Sequence, residues 1–428
     1  EAVEDLRGRY TYVINSMAEM DTISLEQRDH ALEKLPHFPK IAVQSQYGGQ
    51  RGHMLALVKR EILDRGIASE EEIDGGGLRI TTTFDKDVMR QVEEGVKEYR
   101  PAMVPYVNDA GKEVRPKDKD LHVAAATVDV KTGRLLGFYG GHDYLQSQIN
   151  WASAGGMAGS TMKAATNVAA IREGFSLRDY FWGNSPIEVG GHEFNNQGFT
   201  DYGSVSMIGA TENSVNTAYI DMVDSMDSGP QKVIKAAEDM GIPGNEPEDW
   251  GIPNKSIDFQ ENVGVTLGTA QVSPINMANA YATLANGGRR NPVHVVTKVV
   301  DRSGETLYEA NHRGRQTIDE DIAADVSYSL QQVVTSGSGS QARTVIDGSL
   351  EVGREVPQVR QLDGEGLGAR LESRGVRFEG VDRAADGERV LLGILLGVRE
   401  CFGVATVGRG IDAARRRARE HARTHGAV

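Results

Sequence analysis

The chain has 428 residues, a net charge of −14, 39% hydrophobic residues and 25% charged residues. This length predicts more than one folding unit, and the composition is that of a globular protein. The acidic balance argues against a nucleic-acid partner, because phosphate binding needs a concentrated basic surface. Cys401 is the single cysteine, so an intrachain disulfide and a cysteine-rich metal site are both excluded.

The first twenty residues, EAVEDLRGRYTYVINSMAEM, lack the basic and apolar regions of a signal peptide. The longest apolar run, VLLGILLGV at 390–398, is about half as long as a membrane span requires. We therefore expect either a cytosolic protein or a fragment whose targeting segment has been removed.

Residues 1–77 are predicted to be mainly helical. One helix is followed by a short turn and a second helix that Ser24 caps. The stretch HMLALVKREILDRG predicts a further amphipathic helix with Leu55, Val58 and Ile62 on one face.

Alternating and β-branched residues predict strands over 78–84, 122–130 and 134–140. The last two are expected to form a hairpin, because Lys131–Arg134 lies between them and Gly133 adopts the positive φ of a tight turn readily.

Three helices are predicted in the following part of the chain. One begins at Ser160, and another has Ser273 as N-cap with Pro274 at its first position. The third is the amphipathic stretch DEDIAADVSYSLQQVVT, which runs into a flexible glycine–serine segment.

The composition changes abruptly near residue 348. Residues 349–428 contain fourteen arginines and no lysine, and the last lysine of the chain is Lys298. Turn signals are scattered there and strand alternation is poor. We interpret this tail as a segment of different origin, produced by a shifted reading frame or a fusion.

The segment GGMAGSTMKAAT (155–166) contains Ser160 and Lys163 in an S-x-x-K spacing. A serine hydroxyl needs a nearby base to act as a nucleophile, and one helical turn places both side chains on the same face. Lysine is a base only where burial or a neighbouring cation lowers its pKa. The alternative is a plain helix cap at Ser160 with a lysine that faces solvent.

A second polar triplet, Ser214-Val215-Asn216, follows 54 residues after Ser160. Ser214 could pass a proton between Lys163 and a leaving amine, and Asn216 could hold a substrate amide. Taken alone, this triplet also fits an ordinary helix start capped by Asn213 or Ser214. The two motifs in this order favour catalysis.

S-x-x-K, S-x-N and K-T-G together are the motifs of penicillin-binding proteins and class A β-lactamases. The chain resembles the transpeptidase region of a class A, bifunctional penicillin-binding protein of actinobacterial type over about residues 1–348. Further stretches that carry the resemblance include GGLRITTTFDKDVMRQVEEGV, VDVKTGRLLGFYGGHDY, LGTAQVSPINMANAYATLANGG and ADVSYSLQQVVTSGSGSQAR. The resemblance implies a mixed α/β, penicillin-recognising fold: a mostly antiparallel sheet between helices, incomplete at its C-terminal side, with the Ser160 helix at the centre.

The resemblance also divides the chain into three regions. Residues 1–77 are expected to be a helical remnant of a preceding glycosyltransferase domain plus a linker. Residues 78–348 form the expected transpeptidase domain, and residues 349–428 form the atypical arginine-rich tail.

In function, the resemblance implies D,D-transpeptidation of peptidoglycan stem peptides, which cross-links the cell wall. Ser160 would attack the D-Ala–D-Ala carbonyl with Lys163 as base, Ser214 would relay the proton to the leaving D-Ala, and Asn216 would orient the peptide. β-Lactam antibiotics would acylate the same serine. The resemblance implies no cofactor or metal, and a membrane-anchored parent protein on the extracytoplasmic face of the bacterial plasma membrane.

The third motif departs from the family pattern. The only K-T-G is Lys131–Gly133, which precedes Ser160 and in the family is a hairpin turn without a chemical role. A gapless register after Gly348 places Gly353-Arg354-Glu355-Val356 where G-K-T-G is expected. Arg354 would keep a positive charge for the substrate carboxylate, whereas Glu355 would repel it.

Two alternatives therefore remain open. One is a catalytically impaired relic, or a peptide-binding module, that keeps the first two motifs. The other is a β-lactamase, although the sequence supplies no deacylating glutamate at an identifiable position.

Overall fold

The computed structural model describes residues 2–36, 47–99, 106–107, 113–114, 122–311, 313–340, 390–396 and 403–405. The chain divides into two compact units, Glu1–Gly48 and Gly49–Val428. None of the helices in the described ranges is long and apolar enough to cross a membrane. The predicted boundaries at residues 77 and 348 stay predictions.

Helices make up much of both units. They are α1 (Ala2–Glu19), α2 (Leu25–Glu33), α3 (Gln50–Asp64), α4 (Glu70–Gly75), α5 (Lys86–Tyr99), α6 (Trp151–Ala154), α7 (Lys163–Arg172), α8 (Met207–Glu212), α9 (Asn216–Asp224), α10 (Gly229–Met240), α11 (Pro274–Ala285) and α12 (Glu320–Thr335). Short 3₁₀ turns occupy Gly159–Met162, Gln197–Phe199 and Val263–Leu267.

The strands lie in the second unit. They are β1 (Arg79–Thr82), β2 (Tyr106–Val107), β3 (Glu113–Val114), β4 (Val123–Asp129), β5 (Leu135–Tyr139), β6 (Gly156–Met157), β7 (Tyr180–Trp182), β8 (Ile187–Val189), β9 (His192–Phe194), β10 (Ser204–Ser206), β11 (Gln271–Val272), β12 (Arg289–Arg290), β13 (Val296–Val300), β14 (Thr306–Glu309), β15 (Arg315–Gln316), β16 (Val390–Leu396) and β17 (Gly403–Ala405). The two larger sheets have the orders β17-β16-β4-β5 and β1-β13-β14, and the strand pairs within them are antiparallel.

The first unit is a pair of helices. Ser24 caps α2 through a reciprocal capping box with Gln27, which confirms the predicted cap. A positive φ of 55° at Asp21 lies in the turn that separates the two helices.

In the second unit, helices cover both faces of the sheet that contains β4. Val123 and Ala125 belong to the same apolar cluster as Val92 of α5, whereas Ala124 belongs to a second cluster with Ile275 of α11. Every residue of β4 is buried. Burial on both faces explains why this strand is a continuous apolar run rather than an alternating one.

The predicted strands 78–84, 122–130 and 134–140 correspond to β1, β4 and β5, and Gly133 has the expected positive φ of 74°. The mixed α/β class with antiparallel sheets is confirmed.

One predicted helix face is wrong in part. Val58 and Ile62 of α3 are buried, but Leu55 is 43% exposed. The Glu61 carboxylate accepts hydrogen bonds from the backbone N–H groups of Val295 and Val296, at 2.6 and 3.0 Å. The buried face of α3 therefore includes Glu61 and excludes Leu55.

Helix α7 lies at the centre of the larger apolar core, as predicted. Its residues from Lys163 to Ala170 are all buried. Side chains from α8, α9, α10, α11 and α12 belong to the same cluster. A helix surrounded on all sides has no apolar stripe, so periodicity alone does not reveal its position.

Candidate active site

Ser160 lies on a turn that two neighbouring backbone segments hold in place. Strand β6 pairs with β11, and the Gly159 N–H donates to the Gly268 carbonyl at 3.0 Å. Gly268 has a φ of +70°, and a Cβ at this position would overlap the Gly159 backbone. Glycine is therefore required here for the close approach that sets the start of the Ser160 turn.

The expectation that a helix begins at Ser160 needs a small correction. The 3₁₀ turn Gly159–Met162 comes first and passes directly into α7 at Lys163. Neither start has a side-chain cap, so the alternative of Ser160 as a plain helix cap is wrong. The half-buried Ser160 side chain lies one turn before the buried Lys163.

Lys163 is only 4% exposed, and its ammonium donates three hydrogen bonds. The acceptors are Ser214 O at 2.7 Å, Ser214 Oγ at 2.9 Å and Asn216 Oδ1 at 2.8 Å. Burial lowers the pKa of Lys163 to about 7. The amine is consequently uncharged in a substantial fraction of molecules at neutral pH, which is the form that can accept a proton.

The backbone at Ser214 is held in an uncommon conformation. Its φ is +54°, and the Ser214 and Val215 N–H groups donate to the carbonyls of Thr211 and Ala210. These are the two hydrogen bonds of a Schellman motif at the end of α8, where glycine is the usual residue. Serine at this position places its hydroxyl beside the Lys163 ammonium.

Asn216 is the first residue of α9, and its amide is fixed at both ends. Oδ1 accepts from Lys163 Nζ, and Nδ2 donates to the Asn195 carbonyl at 3.0 Å. Asn195 and its neighbour Asn196 could not be predicted from the sequence. They lie 21 and 20 residues before Asn216, and no local pattern links them to it.

A buried polar network lies beneath the site. The Tyr219 ring is 5.1 Å from Lys163 Nζ, and its hydroxyl bonds to Asn167 Oδ1 at 3.0 Å and to Thr211 Oγ1 at 2.7 Å. Asn167 Nδ2 also donates to Ser329 Oγ of α12, at 3.4 Å. Burial raises the pKa of Tyr219 to about 12, so the hydroxyl keeps its proton at physiological pH. The signal in the sequence is faint: Asn167 follows Lys163 by four residues on one helix face.

The structure joins Lys163, Ser214 and Asn216 by hydrogen bonds, and Ser160 lies in the turn directly before Lys163. Lys131 of the K-T-G turn lies elsewhere and donates to Asn286 Oδ1 at 3.0 Å. Arg354 lies outside the described residues, so its predicted role stays a prediction. Within the described ranges, no group of three or more His, Cys, Asp or Glu residues could hold a metal ion.

The chain is similar in sequence to known penicillin-binding proteins. Residues 123–351 match the penicillin-binding protein transpeptidase domain family. The chain is 30% identical over 334 residues to penicillin-binding protein 1A of Mycolicibacterium smegmatis, which covers 77% of this chain and 40% of that protein. It is 29% identical to penicillin-binding protein 1A of Mycobacterium tuberculosis over 346 residues, which cover 78% of this chain. The chain thus spans about 40% of the length of each of these two relatives.

Solved structures show the same relationship. The PonA1 protein from Mycobacterium tuberculosis in complex with penicillin V has a TM-score of 0.57 and 29% identity, covering 67% of this chain and 72% of that one. Penicillin-binding protein 1A from Haemophilus influenzae has a TM-score of 0.55 at 15% identity and supports the fold alone. The predicted family and the penicillin-recognising fold are confirmed: the chain belongs to the transpeptidase domain family of the penicillin-binding proteins.

Proposed function

We propose that the chain is the D,D-transpeptidase domain of a longer, membrane-anchored enzyme that cross-links peptidoglycan stem peptides on the extracytoplasmic face of the plasma membrane. The observation that carries the proposal is the buried Lys163 amine, three residues after Ser160 and bonded to Ser214 and Asn216. A relative of this fold was solved with penicillin V, which supports β-lactam binding.

In the acylation step, Ser160 Oγ attacks the carbonyl carbon of the penultimate D-Ala, and its proton passes to the neutral Lys163 amine. Ser214 Oγ, 2.9 Å from Lys163 Nζ, passes a proton on to the nitrogen of the breaking peptide bond. D-Ala leaves and Ser160 holds the peptide as an ester. The amine of a neighbouring stem peptide then attacks this ester, forms the cross-link and releases Ser160.

Two further groups support this chemistry. Asn216 Nδ2 uses one hydrogen for the Asn195 carbonyl, which leaves a second hydrogen for a substrate carbonyl. The Ser160 N–H belongs to the first turn of a helical segment, where N–H groups have no acceptor within the helix. It is therefore suited to hold the oxyanion of the tetrahedral intermediate.

A second candidate function is a peptide-binding module without catalysis. It is favoured by one observation: the only K-T-G of the chain precedes Ser160, and the aligned position after Gly348 reads Gly-Arg-Glu-Val. Such a chain would bind a stem peptide or a β-lactam without forming an ester at Ser160.

The test is to incubate the full chain with a fluorescent penicillin and separate it on a denaturing gel. We expect a covalent band that disappears in Ser160→Ala and persists in Ser153→Ala, a matched control whose serine bonds to the Asn150 carbonyl. A folded chain without a band would support the non-catalytic module. Rapid hydrolysis of a chromogenic β-lactam without a stable band would support a β-lactamase.

A further inference from the structure

Asn196 is a buried polar residue in an otherwise accessible loop. It follows β9 and is 4% exposed, whereas the residues from Gln197 to Thr200 are all exposed. Burying an amide costs free energy unless its hydrogen bonds are made. The contacts of Asn196 therefore indicate what the loop holds in place.

The side-chain amide of Asn196 makes four hydrogen bonds, which is its full capacity. Nδ2 donates to the carbonyls of Gly183 at 2.7 Å and Thr200 at 2.9 Å. Oδ1 accepts from Thr217 N at 3.0 Å and Thr217 Oγ1 at 3.2 Å. One end of the amide thus fixes the loop, and the other binds the first turn of α9.

This second contact replaces a missing helix cap. Val215 is the N-cap residue of α9 and makes no side-chain cap bond. The Thr217 N–H is one of the donors that a local cap normally satisfies, and here a residue from a distant loop accepts it. The first turn of α9, which carries Asn216, therefore depends on Asn196 for its anchoring.

The backbone next to Asn196 orients the Asn216 side chain. Asn195 O accepts from Asn216 Nδ2, which turns Asn216 Oδ1 toward Lys163 Nζ. A rotated amide would place two donor groups against each other, because Lys163 can only donate when it is protonated. The Asn195 carbonyl and the α9 anchor act on the same amide from two sides.

We propose that Asn196 is a positioning residue that fixes the orientation of the Asn216 amide and so prearranges the S-x-N motif around Lys163. The inference rests on the proposed function for its effect on catalysis. Its structural part, the orientation of Asn216, can be measured without any reaction.

The kinetic test is a double-mutant cycle on the full chain, with the second-order rate constant for acylation by fluorescent penicillin as readout. We expect Asn196→Ala to slow acylation by about 10- to 100-fold, since a displacement of about 1 Å in a site costs rates of this order. Because Asn196 acts through Asn216, the double variant with Asn216→Ala should be no more than about threefold slower than the slower single variant.

Asn279→Ala is the matched control. Asn279 is equally buried, at 1% exposed, and braces a different loop through the Asn291 carbonyl. Its effect should be small and should multiply with that of Asn216→Ala. Multiplicative losses for Asn196→Ala and Asn216→Ala, or a wild-type rate in folded Asn196→Ala, would overturn the proposal. Should Asn196→Ala not fold, Asn196→Asp takes its place in the cycle. This variant keeps the acceptor for Thr217 and loses the two donated bonds that hold the loop carrying the Asn195 carbonyl, so we expect a smaller slowing that again does not multiply with that of Asn216→Ala. Multiplicative losses in this cycle would likewise overturn the proposal.

The second readout is independent of activity. In a chain with ¹⁵N-labelled asparagine, the Asn216 side-chain amide is assigned by its loss in Asn216→Ala. Its signals should shift and lose protection from hydrogen exchange in the Asn196 variant, and stay unchanged in Asn279→Ala. If wild type is not acylated, the proposed function fails while this measurement still decides the inference. Unchanged Asn216 signals in the Asn196 variant would overturn it.

Discussion

Two lysines of the second unit lie in motif-like stretches, yet their surroundings differ completely. Lys131 of K-T-G lies on the exposed turn of a hairpin and donates to Asn286 Oδ1. Lys163 of S-x-x-K is buried and has three fixed acceptors from one short segment. A motif therefore becomes a site only where the fold removes water and supplies oriented partners.

The polar side chains of the hairpin and of the Lys163 site also have different hydrogen-bond partners. In the hairpin, Asp129 Oδ1 accepts from the N–H groups of Lys131 and Thr132, and the Thr132 hydroxyl donates to the same oxygen, so these two side chains serve the turn itself. In the site, the hydroxyl of Ser214 faces Lys163 rather than its own backbone turn. Polar groups that stabilise their own turn are no longer available for chemistry.

Replacing each lysine by methionine separates the two directly. Lys163→Met should slow acylation by fluorescent penicillin about 10²- to 10⁴-fold, the range for loss of a general base. Lys131→Met should change the rate less than twofold, because its ammonium holds only a surface hydrogen bond. The rate constants of both variants and wild type are measured by gel fluorescence over time.

Circular dichroism of both variants controls for folding. Equal losses in Lys163→Met and Lys131→Met would contradict the assignment of the base to Lys163.

The next effect concerns stability as a function of pH. The pKa of Lys163 is about 7 in the folded state against 10.5 for an unperturbed lysine, so the unfolded chain binds more protons between these values. Stability should therefore rise with pH across this window, and the cost of the buried charge is fully present below about pH 7. From pH 6 to pH 9 the gain is roughly 3 kcal/mol.

The measurement is the free energy of unfolding in urea at pH 6 and pH 9, for wild type and for Lys163→Met. The variant cancels every other titrating group, so the difference between the two proteins isolates Lys163. A difference that stays constant between these pH values would show that Lys163 is not desolvated in the folded protein.

Much of the fold follows from local sequence. The Ser24 cap, the Ser273–Pro274 helix start and the Gly133 turn each depend on residues close in the chain, and each is found in the structure. Which face of α3 is buried could not be predicted in this way. It depends on the hydrogen bonds of Glu61 to backbone N–H groups of β13 and of the residue before it, more than 230 positions away.

The site was predictable to the same extent. The order of the motifs predicts Ser160, Lys163, Ser214 and Asn216 as one site, and in the structure Lys163 bonds to Ser214 and Asn216. No sequence pattern indicates Asn195 and Asn196, because their contacts to α9 arise only when a separate loop folds against it. Burial of Lys163, which determines its pKa, is likewise a property of the packed core rather than of any short pattern.

The strained backbone at Ser214 can be tested apart from its hydroxyl. A non-glycine residue at positive φ costs about 1 kcal/mol, and Ser214 has a φ of +54°. Alanine at this position keeps the strain, whereas glycine removes it. The free energy of unfolding should therefore be about 1 kcal/mol higher for Ser214→Gly than for Ser214→Ala. Both variants should slow acylation to a similar extent, because both lack the hydroxyl that bonds to Lys163. Urea unfolding and labelling rates of the two variants separate the backbone effect from the chemical one.

If the Ser214→Gly variant were no more stable than the Ser214→Ala variant, the backbone at position 214 would not be strained. Serine would then occupy the end of α8 without any conflict between stability and function.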